Sequence, residues 1–177
     1  MIPFYTDAKP ETYSEEEYFG KAHHPYSKER HGTKPAIYIV RDPVDIVPSA
    51  SDFFGVSHTR MASEIAKDWP RHVQSWAGNA SLFMRYEDMP KNFHALAQHL
   101  SIPSDFESVV TAIGHAKFET LQEDEASNGF AEASDKGGKT FFRKGTPGSG
   151  REVMDPATVQ KVIKGCGEWY TRFGYRE

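Results

Sequence analysis

Ala36-Ile-Tyr-Ile-Val40 runs directly into Arg41-Asp-Pro-Val-Asp-Ile-Val-Pro-Ser49, and this stretch decides the fold. The apolar, β-branched run shows no alternation, as expected for a strand of a parallel sheet covered on both faces. A helix is predicted to follow, with Asp42 as its cap and Pro43 in its first turn, where a missing N–H costs nothing. Pro48 removes an interior helix bond and predicts a kink or irregularity. Arg41 is thereby delivered to the carboxyl end of a strand, the edge where ligands of open α/β sheets collect. About a hundred residues later stands Phe141-Phe-Arg-Lys-Gly-Thr-Pro-Gly-Ser-Gly150, a Gly-rich loop opened by two adjacent cations. The two segments read as halves of one anion site, able to hold a phosphate by guanidinium fork, hydroxyl and backbone N–H groups.

The rest of the chain fits one domain, residues 1–177, with a core of ordinary size for that length. Residues 1–20 read as a loosely ordered lead-in and 21–35 as loop. A helix over 61–78 places Trp69, Val73 and Trp76 on one face. Ser81–Arg85 reads as the next strand, so the β-α-α-β order implies a parallel crossover. Amphipathic helices are predicted over 88–100 and 104–115, and one last helix from Pro156 to near Gly174. Residues 122–140 are acidic, small and Gly-rich, and read as a mobile loop.

Composition narrows the function classes. Hydrophobic residues make up 38% and charged residues 26%, the balance of an ordinary globular chain. A formal net charge of −4 argues against bulk binding of nucleic acid, so any anion site must be a local basic cluster. No apolar run approaches a membrane span. The single cysteine, Cys166, allows no internal disulfide and points to the reducing cytoplasm. The eight histidines raise the question of a metal. His94 and His99 are five apart on a helix and His115 stands alone, so none is expected.

Taken in order, these segments resemble the cytosolic-type sulfotransferases. Arg41 with Ser49 eight positions on is similar to the family's 3′-phosphate-binding strand and helix. Phe142-Arg-Lys-Gly145 resembles its RKG segment, which implies that Arg143, Lys144 and Gly145 close over the same phosphate. Lys21-Ala-His-His-Pro25 resembles Lys-Thr-His-Leu-Pro, which implies His23 as general base. Tyr86-Glu-Asp-Met89 and His115-Ala-Lys-Phe118 resemble the segments carrying the tyrosine and phenylalanine at the adenine. The resemblance covers about Lys21 to Tyr175. It implies a P-loop-NTPase-like α/β fold, a parallel sheet flanked by helices on both faces. It also implies sulfuryl transfer from 3′-phosphoadenosine 5′-phosphosulfate, without a metal, to the hydroxyl or amine of a small-molecule acceptor. The family's 5′-phosphosulfate loop has no counterpart among the twenty-two residues before His23, so truncation at the N-terminus is expected. The chain would then be a fragment, a degenerate relative, or a domain completed by a second copy or a partner chain.

Each residue also has a simpler reading. His23 is otherwise a surface-loop histidine, with His24 as its rival for the base, and Lys21 is otherwise a solvated lysine rather than a cation for the sulfuryl oxygens. Arg41 is otherwise an ion-pair partner of Asp42, Asp45 or another carboxylate, and Ser49 a helix-surface hydroxyl. Arg143 and Lys144 are otherwise a charged turn, and Tyr86 and Phe118 core residues. At the level of function, the alternative is a non-catalytic nucleotide-binding or scaffold domain. A P-loop kinase relative is the weaker third reading, for want of a Walker lysine.

Overall fold

The computed structural model describes residues 22–33, 35–101, 105–129, 140–142 and 145–176. Lys21, Arg143, Lys144 and the 1–20 lead-in lie outside them. Among the described residues, helix α1 (Lys28–His31) precedes strand β1 (Ile37–Val40), then α2 (Pro43–Phe54) and α3 (His58–Trp76) lead to β2 (Leu82–Arg85). A 3-10 turn (Tyr86–Asp88) opens α4 (Met89–His99). Then come α5 (Phe106–His115), α6 (Phe118–Asn128), α7 (Ser149–Val153), α8 (Pro156–Cys166) and α9 (Glu168–Arg172). This is a helix-rich α/β chain built on a parallel pair, with Ile37 opposite Leu82 and Val40 opposite Arg85.

Local chemistry sets the element ends. Asp42 caps α2 through Val44 N–H, with Pro43 in the first turn, as the sequence predicts. The helix continues through Pro48 to Phe54 and stops at Gly55, whose φ of 64° suits a residue without Cβ. Ser57 caps α3 and Asp155 caps α8 in the same way.

Strand alternation divides the sheet into two faces. Tyr38 and Phe83 share one face, with ring centroids 5.0 Å apart, and Phe83 continues to Phe173 at 5.8 Å. On the other face, Leu82 and Met84 meet Asn92, Ala95 and Leu96 of α4 around a hollow of about 350 Å³. Ile39 departs from the expected burial: it is 50% exposed, because no described element covers that part of β1.

The core lies between α2, α3 and α8, where Val44, Val47, Met61, Ala62, Val73, Val162 and Cys166 are buried. Trp76 is buried and Trp69 half-buried on the α3 face that the sequence marks. The predicted last helix is two helices, because Gly167 at φ 56° turns the chain between α8 and α9. That turn brings Tyr170 into the core. The segment read as a mobile loop is helical through Asn128: its Glu, Gln and Ala residues favour a helix, and Gly129 ends it. Residues 130–139 lie outside the description.

Gly165 sets the α3–α8 approach, since a Cβ there would stand 2.4 Å from Ala66 Cβ and 2.8 Å from the Ala66 carbonyl oxygen. Gly165→Ala is expected to lower stability by about 1–3 kcal/mol through overpacking, read as the denaturation midpoint. Adding Ala66→Gly should recover part of the loss, because one of the clashing atoms is then gone.

Candidate functional site

The site grows from the junction of β1 and α2. The Asp42 N–H donates to Glu87 Oε1 at 2.8 Å, and Asp42 Oδ1 accepts from Val44 N–H at 2.9 Å. Asp42 Oδ2 accepts from Arg151 Nη1 at 3.1 Å. Arg151 Nη2 donates to the Tyr170 hydroxyl and, at 2.8 Å, to the Arg176 carbonyl. Glu87 Oε2 accepts from the Tyr175 hydroxyl at 3.1 Å. Burial holds the Asp42 carboxyl above its usual range, with the Val44 and Arg151 hydrogen bonds pulling the other way.

These bonds commit the carboxylate of Asp42 to its cap and to Arg151. The guanidinium of Arg41 instead lies over the Tyr86 ring, 4.8 Å from its centroid. Two residues singled out from the sequence thus meet at the carboxyl edge of the strand pair, and Tyr86 is exposed there. Ser49 is exposed on α2, one turn before Phe53.

The Gly-rich segment corrects one expectation. The sequence predicts its backbone N–H groups as phosphate donors, yet Gly148 N–H donates to Asp45 Oδ2 at 2.6 Å and Gly150 N–H to Asp45 Oδ1 at 2.8 Å. The anion they hold is the chain's own carboxylate, 2% exposed. Gly150 sits so close that a Cβ would stand 2.3 Å from the Val44 carbonyl oxygen. Asp45 therefore ties the segment to the first turn of α2, directly after the Arg41 strand.

Phe118 and Gly145 also come together. Gly145 has φ 51°, and a Cβ on it would fall 2.3 Å from the Phe118 ring. Phe118 meets Phe142 edge-on at 6.1 Å, and Phe141 meets Phe53 of α2 at 6.4 Å. Helix α6 fixes this stretch: Glu125 Oε1 and Oε2 accept from the Phe141 and Phe142 N–H groups at 2.5 and 2.9 Å, and Gln122 Nε2 donates to the Phe142 carbonyl at 2.8 Å. The two flanks of Arg143-Lys144 are thereby placed.

His23 is exposed, in a segment docked on the last turns of α3. Trp76 Nε1 donates to the His24 carbonyl at 3.1 Å, and Tyr26 N–H donates to Ser75 Oγ at 2.8 Å. Sequence reasoning missed Asp45 as an anchor, together with Glu87, Glu125 and Arg151. Glu87 stood inside the quoted Tyr-Glu-Asp segment, and its position at a strand end was the available signal. Nothing local marks the others.

Two outcomes test this network. Asp45→Asn leaves one glycine N–H facing an amide NH₂, so amide exchange at Gly148 or Gly150 should quicken and stability fall by about 1–3 kcal/mol. The second concerns alkaline pH. Burial pushes the Cys166 thiol from 9.0, and the Tyr170 hydroxyl from 10.0, up to about 12, and pushes the Tyr175 hydroxyl up as well. The folded state keeps protons that the unfolded chain releases, so this stabilisation is full below about pH 9 and is lost as pH rises toward 12. The thermal midpoint should fall across that window, and Tyr175→Phe should flatten the slope. A flat wild-type profile would contradict this account.

The sulfotransferase domain model matches residues 19–174. Mouse sulfotransferase SULT7A1 complexed with PAP superposes with a TM-score of 0.59 at 21% identity, covering 74% of this chain and 56% of that one. Retinol dehydratase in complex with androsterone and inactive cofactor PAP superposes with a TM-score of 0.62 at 20% identity, covering 81% of this chain and 49% of that one. The chain thus spans about half the length of these relatives, and the likeness at such identity is one of fold. No curated protein matches the sequence. With the match running over nearly its whole length, the chain belongs to the sulfotransferase domain family.

Proposed function

We propose that this chain binds the bisphosphate end of 3′-phosphoadenosine 5′-phosphosulfate and takes part in moving the sulfuryl group to a small-molecule hydroxyl or amine. The observation that carries the reading is the Arg41 guanidinium over Tyr86 at the carboxyl edge of the parallel pair. Family membership supports it, as do PAP in both relatives and androsterone in one. The described residues suit such a nucleotide: a cation, an exposed tyrosine face, and a half-buried phenylalanine beside a glycine that no larger residue could replace. We place the reaction in the cytosol, with no metal.

The roles follow from charge and reach. Arg41, Ser49, Arg143 and Lys144 hold the 3′-phosphate by charge-assisted hydrogen bonds. Tyr86 and Phe118 flank the adenine, and Gly145 lets the loop close on Phe118. When bound, the donor supplies an activated sulfuryl group and a bisphosphate leaving group. Lys21 offsets charge on the sulfuryl oxygens, and His23 takes the proton of the acceptor hydroxyl as its oxygen bonds sulfur. Positioning and electrostatics dominate such a transfer, much as for a phosphoryl group.

A second reading, a nucleotide-binding domain without catalysis of its own, is favoured by one sequence observation. Gly-x-x-x-x-Gly-Lys-Ser/Thr does not occur. The nearest spelling, Gly138-Lys139-Thr140, has Ala133 where the first glycine would stand.

Calorimetry with adenosine 3′,5′-bisphosphate and a radiolabelled sulfate transfer assay separate the two. Arg41→Ala and Arg143→Ala are each expected to weaken binding by about 1.5–3 kcal/mol. His23→Ala should cut transfer about 10²–10⁴-fold with bisphosphate affinity unchanged, and His24→Ala should keep most of the rate. Binding without any transfer would favour the second reading, and no effect of Arg41→Ala would remove both.

A further inference from the structure

His72 stands on α3 one turn before Trp76, half-buried, with Nδ1 2.6 Å from the Tyr38 hydroxyl. Tyr38 lies in β1, three residues before Arg41. The same imidazole hydrogen bonds the backbone of His23 and His24. Around it, Ser75 Oγ donates to the His72 carbonyl at 2.7 Å and accepts from Tyr26 N–H at 2.8 Å, and Trp76 Nε1 donates to the His24 carbonyl at 3.1 Å. The segment bearing the candidate base is therefore held by three consecutive anchors on one helix end.

Burial disfavours the charged form of His72, so the ring carries a single N–H. Backbone carbonyls only accept, so the tautomer that satisfies both sides carries its N–H toward the His23–His24 segment and accepts from the Tyr38 O–H at Nδ1. One neutral ring thus joins the strand that delivers Arg41 to the loop that carries His23. Losing the Tyr38 hydroxyl frees the tautomer, and losing the imidazole removes the link.

We propose that His72, oriented by Tyr38, is a positioning residue that fixes the His23 loop relative to the Arg41 strand. Its catalytic consequence rests on the reading of His23 as general base. The geometry also gives Tyr38, a strand residue otherwise read as packing, a specific task. Support groups of this kind set reaction geometry without touching the reacting atoms, and their loss typically costs about 10–100-fold in rate.

The test uses the chain with Tyr38→Phe, which keeps the ring packing, and His72→Gln, which keeps a donor. Three readouts are taken: hydrogen exchange at the Tyr26 amide, bisphosphate affinity by calorimetry, and kcat and KM for transfer. We expect exchange at Tyr26 to quicken about tenfold or more in Tyr38→Phe. In that variant kcat should fall by about tenfold, while bisphosphate affinity and donor KM stay within about twofold. His72→Gln should be milder in exchange, because its amide can still reach the carbonyls. Unchanged exchange in both variants would overturn the proposal whatever the activity, and so would quickened exchange with kcat unchanged. If the unaltered chain binds the bisphosphate but transfers nothing, the catalytic reading of the chain fails, and exchange at Tyr26 alone decides whether the Tyr38–His72 pair holds the loop.

Discussion

The buried Asp42 carboxylate, shared between the Val44 N–H and the Arg151 guanidinium, is the contact on which the rest of the site depends. Removing a carboxylate from water costs several kcal/mol, and only well-aligned charge-assisted bonds offset that. Here those bonds come from opposite ends of the chain. The cap sets where β1 stops and α2 starts. Arg151 reaches on to Tyr170 and the Arg176 carbonyl, and Glu87 joins the Asp42 N–H to the Tyr175 hydroxyl. With its neighbour's charge satisfied inside, Arg41 lies at the sheet edge over the Tyr86 ring. The two described strands would not hold such an edge by themselves; Tyr170, Tyr175 and Arg176 brace it from behind.

The same economy governs the Gly-rich segment. Backbone N–H groups in a glycine turn are good anion donors, which is why sequence alone suggests a phosphate cradle. In the folded chain Asp45 already fills that role for Gly148 and Gly150. On the proposed reading, recognition of an external anion then falls on side chains rather than on these two backbone N–H groups. Helix α6 holds Phe142, the residue before the two cations, through Glu125 and Gln122.

What the sequence carries locally was legible. The run Ala36–Val40, the Asp42 cap, Pro43, and the Trp69–Val73–Trp76 face all depend on neighbours a few residues away. What depends on distant partners was not. Asp45 meets its glycines across more than a hundred residues of chain. Residues 122–128 read as loop because the stretch is acidic and carries no apolar stripe, and the long-range bonds of the helix they belong to leave no local mark. Ile39 read as buried because β-branched runs usually are, but its exposure depends on which elements cover the sheet. Tyr86 and Phe118 could be paired with Arg41 and Gly145 only through order along the chain, since each alone reads as core.

Stacking has a consequence for how Arg41 can bind. A guanidinium is flat, and its five N–H groups point outward in its own plane. With its central carbon 4.8 Å from the Tyr86 ring centroid, the cation is held against the ring. A phosphate approaching in that plane meets a preset fork, and less side-chain freedom is lost on binding than for an arginine free in water. The ring also lies beside whatever that phosphate carries, so a base attached to it has an aromatic face within reach. One strand end and one 3-10 turn, held together by Glu87, thereby define an anion fork and a stacking surface at fixed separation. On the proposed reading, that pairing is what separates a nucleotide bisphosphate from a bare anion.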